Sequence, residues 1–311
     1  EERARLARRS DWLDALRQDL RFALRTFSAN RGFTLVTALT MAIGIGATTA
    51  VFSVAYGVLL RPLPYRDASA LVRLWSRNAS RGVEFFSVSP ADFKDWRASA
   101  KGFTAMAAFE RQHDATLVRR GASAPEWVQA AAVMPEIFPL LGAAALRGRT
   151  LLPDDARPGA PKVAVLSDEM WTARLGADAS IIGGQITLDG QAVTVVGVMP
   201  PRFFVPGTPA QIWTPLSLVG ANEDHSFRYL RVLGRLAPGI TVEQGRAQVD
   251  QIAARLARDF PATNGPWTIN AQAVPEMIIG RQFRRAVIVL TGVVAFVLLI
   301  ACANAANLQL A

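Results

Sequence analysis

Two long uncharged stretches stand out in the alternation of apolar and polar positions: residues 33–60, FTLVTALTMAIGIGATTAVFSVAYGVLL, and residues 286–311, AVIVLTGVVAFVLLIACANAANLQLA. About 20 consecutive apolar residues cross a bilayer core, so both are expected to be transmembrane helices, assigned to 33–60 and 285–311. In the first, Gly44, Gly46 and Ala47 form a patch of small residues that would let another helix approach closely. In the second, Asn304 and Asn307 lie three apart on one face, and an amide in lipid needs a partner on a neighbouring helix. Residues 1–32 are polar and basic. From Asp11 onward Trp12, Leu13, Leu16, Leu20, Ala23, Leu24 and Phe27 recur at helical spacing, with arginines such as Arg21 among them. That pattern fits a helix lying on a membrane surface, and equally a solvated helix packed on a partner.

Between the runs, residues 61–284 read as an ordinary globular pattern. LVRLWSRN (71–78) alternates like a strand, and 103–109, 114–119 and 126–133 read as short strands. Ser89-Pro90-Ala91-Asp92 opens a helix with a serine cap, a proline at the first position and an acid at the third. Residues 135–142 form a short helix closed by Gly142. KVAVLS (162–167) is a strand running into a serine cap, with DEMWTARLG behind it stopped by Gly176. QITLDGQAVTVVGVM (185–199) is a hairpin turning at Asp189-Gly190. RYLRVLGRL (228–236) and WTINAQAV (267–274) are further strands. Thr241 with Gln244 makes a capping box for a helix whose buried face carries Val242, Val249, Ile252, Leu256 and Phe260. Irregular alternation of strands and helices with a hairpin predicts mixed α+β rather than a doubly wound parallel sheet.

Charge adds orientation. The chain of 311 residues carries a net charge of +9, and its only lysines are Lys94, Lys101 and Lys162. The basic segment before the first run places the N-terminus on the cytoplasmic side and sends the first helix outward. Arg281, Arg284 and Arg285 precede the second run on the outer side, against the positive-inside trend, which long translocated domains weaken. The arginines are scattered rather than clustered, so nucleic acid is not expected as a partner. A single cysteine, Cys302, excludes a disulfide within the chain. The chain is expected to be a piece of a longer protein, with the second membrane helix truncated.

Candidate chemistry is sparse. The two histidines, His113 and His225, are far apart; Glu110 with His113-Asp114, and Glu223-Asp224-His225, read as polar surface turns before they read as ligand sets. No G-x-S-x-G elbow occurs, and Asp154-Asp155 sits in a Pro/Gly loop where exposure is expected. No lysine follows a glycine, so there is no Walker phosphate loop. No catalytic, cofactor or metal site is expected, and the chain is not expected to be an enzyme. Most tryptophans and phenylalanines are expected in the core.

The run DLRFALRTFSANRGFTLVTALTMAIGIGATTAVFSVAYGVLLRPLPY resembles the start of ABC-transporter permeases of the MacB/FtsX type, in particular the subgroup of duplicated orphan permeases. SPADFKDWR (89–97), GRT (148–150), VAVLSDEMW (163–171), ITLDGQAVTVVGVMP (186–200), YLRVLGRLAPGITVEQ (229–244) and FVLLIACANAANL (296–308) follow in order. The resemblance implies a periplasmic core domain over 61–284, with a porter-like part and an inserted lobe, between two transmembrane helices in a bacterial inner membrane. It implies an ATP-binding subunit as partner, a homodimer or pseudo-dimer, and a periplasmic adaptor as a further candidate partner. It places the amphipathic helix of Trp12, Leu16, Leu20, Arg21 and Phe27 near the ATPase. The expected role is efflux or mechanotransmission, in which ATP hydrolysis inside moves the domain outside. A two-span sensor with a ligand-binding outer domain shares the same order of elements. It would need a signalling module after the second helix, where a permease needs more membrane helices.

Overall fold

The computed structural model describes residues 31–56, 63–119, 124–221 and 224–310, together with the side chains of most of them. The basic segment with Trp12, Leu16, Leu20, Arg21 and Phe27 lies outside the described residues, as do the side chains of Asn304 and Asn307. The chain divides into two units, one holding the long terminal helices and the other Pro62–Gly280.

In the first unit α1 (Arg31–Ala55) packs against a C-terminal helix, α8 (Arg281–Leu310). Gly44 is buried, and a methyl group placed on it would stand 3.4 Å from Leu298 Cδ1, so this glycine lies in the contact. Gly46 is exposed with open space beside it, and Ala47 is half-buried. Most other described side chains point outward and are apolar, among them Ile43, Phe52, Val289, Phe296 and Leu299. The hydroxyls of Thr40, Thr48, Thr49, Ser53 and Thr291 donate to the carbonyls of Val36, Gly44, Ile45, Thr49 and Val287, four residues back, so none needs an external acceptor. Among the described residues no helix is long and apolar enough to cross a membrane.

The second unit is mixed α+β, with its strands hydrogen-bonded into one sheet of two parts. In the first part β3 (Phe103–Phe109), β11 (Arg231–Leu236), β1 (Leu71–Asn78) and β12 (Thr268–Ala273) lie side by side, all antiparallel. The short β2 (Val83–Phe86) pairs with the end of β1. Packed with these strands are α2 (Pro90–Ser99), α3 (Ile137–Leu141) and α5 (Val242–Asp259). Together they bury Phe93, Trp96, Phe109, Phe138, Trp213 and Val249 in one core. Burial of each phenylalanine and of Val249 contributes about 1.5–3 kcal/mol. The helices start as expected: Ser89 accepts from Asp92 N–H at 3.1 Å, and Thr241 and Gln244 cap each other's backbone at 3.2 and 2.9 Å.

The second part is inserted between β3 and β11. Here β4 (His113–Val118), β5 (Glu126–Val133), β10 (Ile212–Pro215), β7 (Val163–Leu166), β9 (Gln191–Val198) and β8 (Gln185–Leu188) pair in a ring, because β10 pairs with β5 as well as with β7. Ring closure leaves these strands no free edge. A separate core fills the ring with Leu117, Val128, Leu166, Ile186, Val195 and Ile212, to which α4 (Asp168–Leu175) adds Met170 and Trp171. A two-residue strand, β6 (Arg147–Gly148), pairs with β9.

Two expectations change. The strand expected over 228–236 begins at Arg231, because residues 228–230 turn toward α2 instead. Phe260 is 42 % exposed rather than on the buried face of α5. Trp127, Phe85, Phe86 and Phe227 are exposed, so not every large aromatic is core.

Candidate functional site

The second unit is tied together at two polar junctions, both built by residues distant in sequence. The first centres on Asp92, which is 1 % exposed in the first turn of α2. An acid at this helical position ordinarily serves the helix start. Here the backbone cap comes from Ser89, and the Asp92 carboxylate is directed into the protein. Its Oδ1 lies 2.6 Å from His225 Nδ1 and accepts from Asn264 Nδ2 at 2.7 Å; its Oδ2 accepts from Arg228 Nη1. The Arg228 guanidinium also donates to Ser76 Oγ at 3.0 Å and Asn264 Oδ1 at 3.1 Å, and lies over the Trp267 ring at 4.6 Å. The His225 ring rests on Phe260 at 4.0 Å between centroids, which accounts for the position of that phenylalanine.

Local folding brings these groups together. The carbonyl of Val88, one residue before the cap of α2, accepts from the backbone N–H groups of Tyr229 and Leu230. That contact lays the 224–230 segment against the start of α2. Asn264 ends α6 (Pro261–Asn264), directly after α5, and Ser76 lies on β1. The junction therefore joins β1, α2, the segment before β11 and the end of the α5–α6 pair. Burial pulls the Arg228 pKa down while Asp92 pulls it up, with burial the larger effect. A desolvated cation of this kind depends on its carboxylate.

The second junction lies where the chain joins the sheet. Arg235 of β11 is 8 % exposed, and no carboxylate pairs with it among the described residues. It donates instead to three backbone carbonyls: Leu140 at 2.8 Å, Asp67 at 3.1 Å and Arg66 at 2.6 Å. Its pKa is lowered, first by burial and then by Arg66. Arg66 N–H donates to Leu141 O at 3.2 Å. Gly142 caps α3 at φ 68°, and a methyl group on it would stand 2.5 Å from Arg66 Cβ, so the cap requires glycine twice over. Tyr65 is buried, donates to Phe204 O at 2.9 Å and meets the Phe204 ring edge-on. Segment 65–70 is thereby held on the sheet just before β1. The outgoing strand β12 is hydrogen-bonded to β1, with Val72 opposite Ala273, and leads into α7 (Val274–Ile279).

The expected candidates are placed as follows. His113 is exposed, 3.4 Å from Asp189 Oδ2. Asp154 is exposed and paired with Arg157, but Asp155 is not the exposed acid expected. Its side chain is 12 % exposed and pairs with Arg149, and Leu152 N–H donates to it at 2.8 Å. Burial raises its pKa, but the Arg149 and Leu152 hydrogen bonds outweigh this and hold the carboxyl below the usual range. His225, expected in a polar surface turn, is buried, because it faces Asp92. No group of His, Cys, Asp and Glu able to hold a metal occurs among the described residues. Sequence reasoning missed Asp92, His225, Arg228, Asn264 and Arg235. The one local signal was an acid at the third position of a helix already capped by serine.

Residues 34–252 match the family profile of the MacB-like periplasmic core domain. No curated protein matches. Among solved structures, a domain of a permease protein from Porphyromonas gingivalis is similar with a TM-score of 0.53 at 12% identity, covering 67% of this chain and 92% of that one. The periplasmic region of MacB from Actinobacillus actinomycetemcomitans gives a TM-score of 0.48 at 12% identity, covering 67% and 90%. The extracellular domain of the noncanonic ABC-type transporter YknZ from Gram-positive bacteria gives 0.48 at 15% identity, covering 64% and 99%.

Proposed function

This chain belongs to the family of the MacB-like periplasmic core domain, and from that premise we propose that it is the permease subunit of an ABC-type transporter. In this reading Pro62–Gly280 is a periplasmic domain carried between two membrane helices. The uncharged runs 33–60 and 286–311, taken over their full length, are long enough to span a bilayer. The outward apolar side chains and internally bonded hydroxyls of α1 and α8 suit that medium. An ATP-binding subunit works on the cytoplasmic side of a bacterial inner membrane, and its hydrolysis moves the periplasmic domain. The permease acts as a homodimer or pseudo-dimer, with a periplasmic adaptor as an outer partner. Trp12, Leu16, Leu20, Arg21 and Phe27 lie on the membrane surface near the ATPase. Gly44 and Ala47 serve helix packing, as do Asn304 and Asn307.

One observation supports this reading above the others. The incoming and outgoing strands, β1 and β12, are hydrogen-bonded neighbours, and β1 continues through β11 and β3 into the strand ring. With Arg235 holding Arg66 and Asp67 just before β1, displacement of segment 63–70 or of 274–280 is passed to hydrogen-bonded strands. The test is purification of the protein from its native membrane in mild detergent. Co-purification of an ATP-hydrolysing subunit is the expected result. A signalling module in place of an ATPase would overturn the reading in favour of a two-span sensor.

A further inference from the structure

The register of the open sheet brings Arg73 and Arg231 onto one face, and Arg111, just past the end of β3, lies near enough to act electrostatically on Arg231. Arg73 of β1 stands opposite Leu233 of β11, and Arg231 stands opposite Phe109 of β3. Side chains alternate along a strand, so Arg73, Leu233, Arg231 and Phe109 share one face, and Arg111 follows Phe109 by two residues. No carboxylate pairs with any of the three among the described residues. Arg73 is 3 % exposed, and its Nε has no hydrogen-bond partner among the described residues. Its Nη1 donates to Pro206 O at 3.1 Å, and its guanidinium carbon lies 4.8 Å from the Phe109 ring and 5.5 Å from Trp75. Arg231 donates to Gly207 O from the same turn, and Thr208 Oγ1 of that turn donates to Gln112 Oε1 at 3.2 Å. Gly207 has φ 89°, and a methyl group on it would stand 2.5 Å from Arg73 Nη1, so the turn is fitted to the arginines.

Charge sharpens the picture. Burial lowers the Arg73 pKa to about 9, with Arg231 contributing, and Arg231 is lowered by burial and then by Arg111. Among the described residues, repulsion among the three is offset by carbonyl dipoles and aromatic faces. Buried charge of this kind is ordinarily neutralised by a partner, and paired guanidinium forks match phosphate geometry. Arg231 is half-buried and Arg111 exposed, so an anion can reach them from solvent. Beside them Trp75 meets Phe85 edge-on at 4.9 Å, and Phe85 is 57 % exposed.

We propose that Arg231 and Arg111, backed by Arg73 and walled by the turn at Pro206–Thr208, form an oxyanion site for a phosphate group. Three positive charges with no paired carboxylate among the described residues suit a dianion better than a single carboxylate. The phosphate is either free or the head of an ester whose apolar tail lies along Trp75 and Phe85. This site is independent of the transport reading and stands or falls separately.

The experiment is isothermal titration calorimetry on the whole chain in a nonionic detergent with chloride as background anion, using inorganic phosphate and butyl phosphate as probes. Saturable one-to-one binding of at least one probe is expected. Arg231→Gln and Arg111→Gln should each weaken it by about tenfold or more, as loss of a charge-assisted contact predicts. Equal affinity for the two probes assigns the site to free phosphate, and tighter binding of butyl phosphate, lost in Phe85→Ala, assigns it to the ester. Absence of binding by both probes, or binding unchanged in both arginine variants, overturns the proposal. Arg111 is exposed, so Arg111→Gln keeps the test decisive if Arg231→Gln fails to fold.

Discussion

Asp92 is the residue on which the open sheet and its helices converge. Asp92→Ala would leave the Arg228 guanidinium buried without its carboxylate and strand His225 and Asn264 as well. Losing one partner of a buried pair costs about 3–5 kcal/mol, so urea unfolding should show a loss of that size. A loss under about 1 kcal/mol would contradict the junction's role. This role was not legible in the sequence: the partners lie 133 to 172 residues away, and no local pattern reports that separation. The cap at Ser89 was legible because its donor lies three residues on. Asp155 carries a pH prediction. Its folded pKa is depressed, so its contribution is present above the unfolded value and lost as pH falls through the folded value. Stability should therefore decline below about pH 4, the ordinary aspartate range, and Asp155→Asn should flatten that part of a stability-versus-pH curve measured by urea unfolding.

At the scale of elements, two glycines from the quoted motifs explain each other. Gly148 of β6 faces Gly197 of β9, and a methyl group on either would fall inside contact with the other strand's backbone, at Val196 O or Arg149 O. Gly197→Ala should cost about 1–3 kcal/mol by overpacking, read as a lowered melting temperature; an unchanged value would show that the strands can separate cheaply. The hairpin turn carries positive φ at both Asp189 and Gly190, 49° and 74°. Replacing both with valine should destabilise it. In the helical unit the small-residue patch divides: Gly44 meets Leu298, whereas Gly46 has open space. Gly44→Leu should impair association of the two helices in a cross-linking assay and Gly46→Leu should not; equal behaviour would remove the distinction. Strands with strong alternation or clear turn residues, such as 71–78, 126–133 and the 185–199 hairpin, were legible in the sequence. The four-residue β2 and β10 and the two-residue β6 were not, because so few residues carry no period. Ring closure was equally hidden, since the parallel pairing of β10 with β5 joins residues about 80 positions apart with no local signature.

For the whole molecule, the α+β class and the family motifs were legible because they are ordered along the chain, while the connection between them is a matter of contacts. The incoming segment is fastened by Arg235, and the outgoing strand is fastened to β1. Under the transport reading both connections carry motion, and Arg235→Met should uncouple ATP hydrolysis from movement of the periplasmic domain while the cores persist. The most direct test is hydrogen–deuterium exchange on the complete transporter in membrane, with and without ATP turnover. The prediction is that exchange changes in residues 63–70 and 274–280 while the strand ring, β7 and β9 above all, stays protected as a rigid body. Identical exchange in both connecting segments under turnover and at rest would contradict the claim that this domain is driven through them.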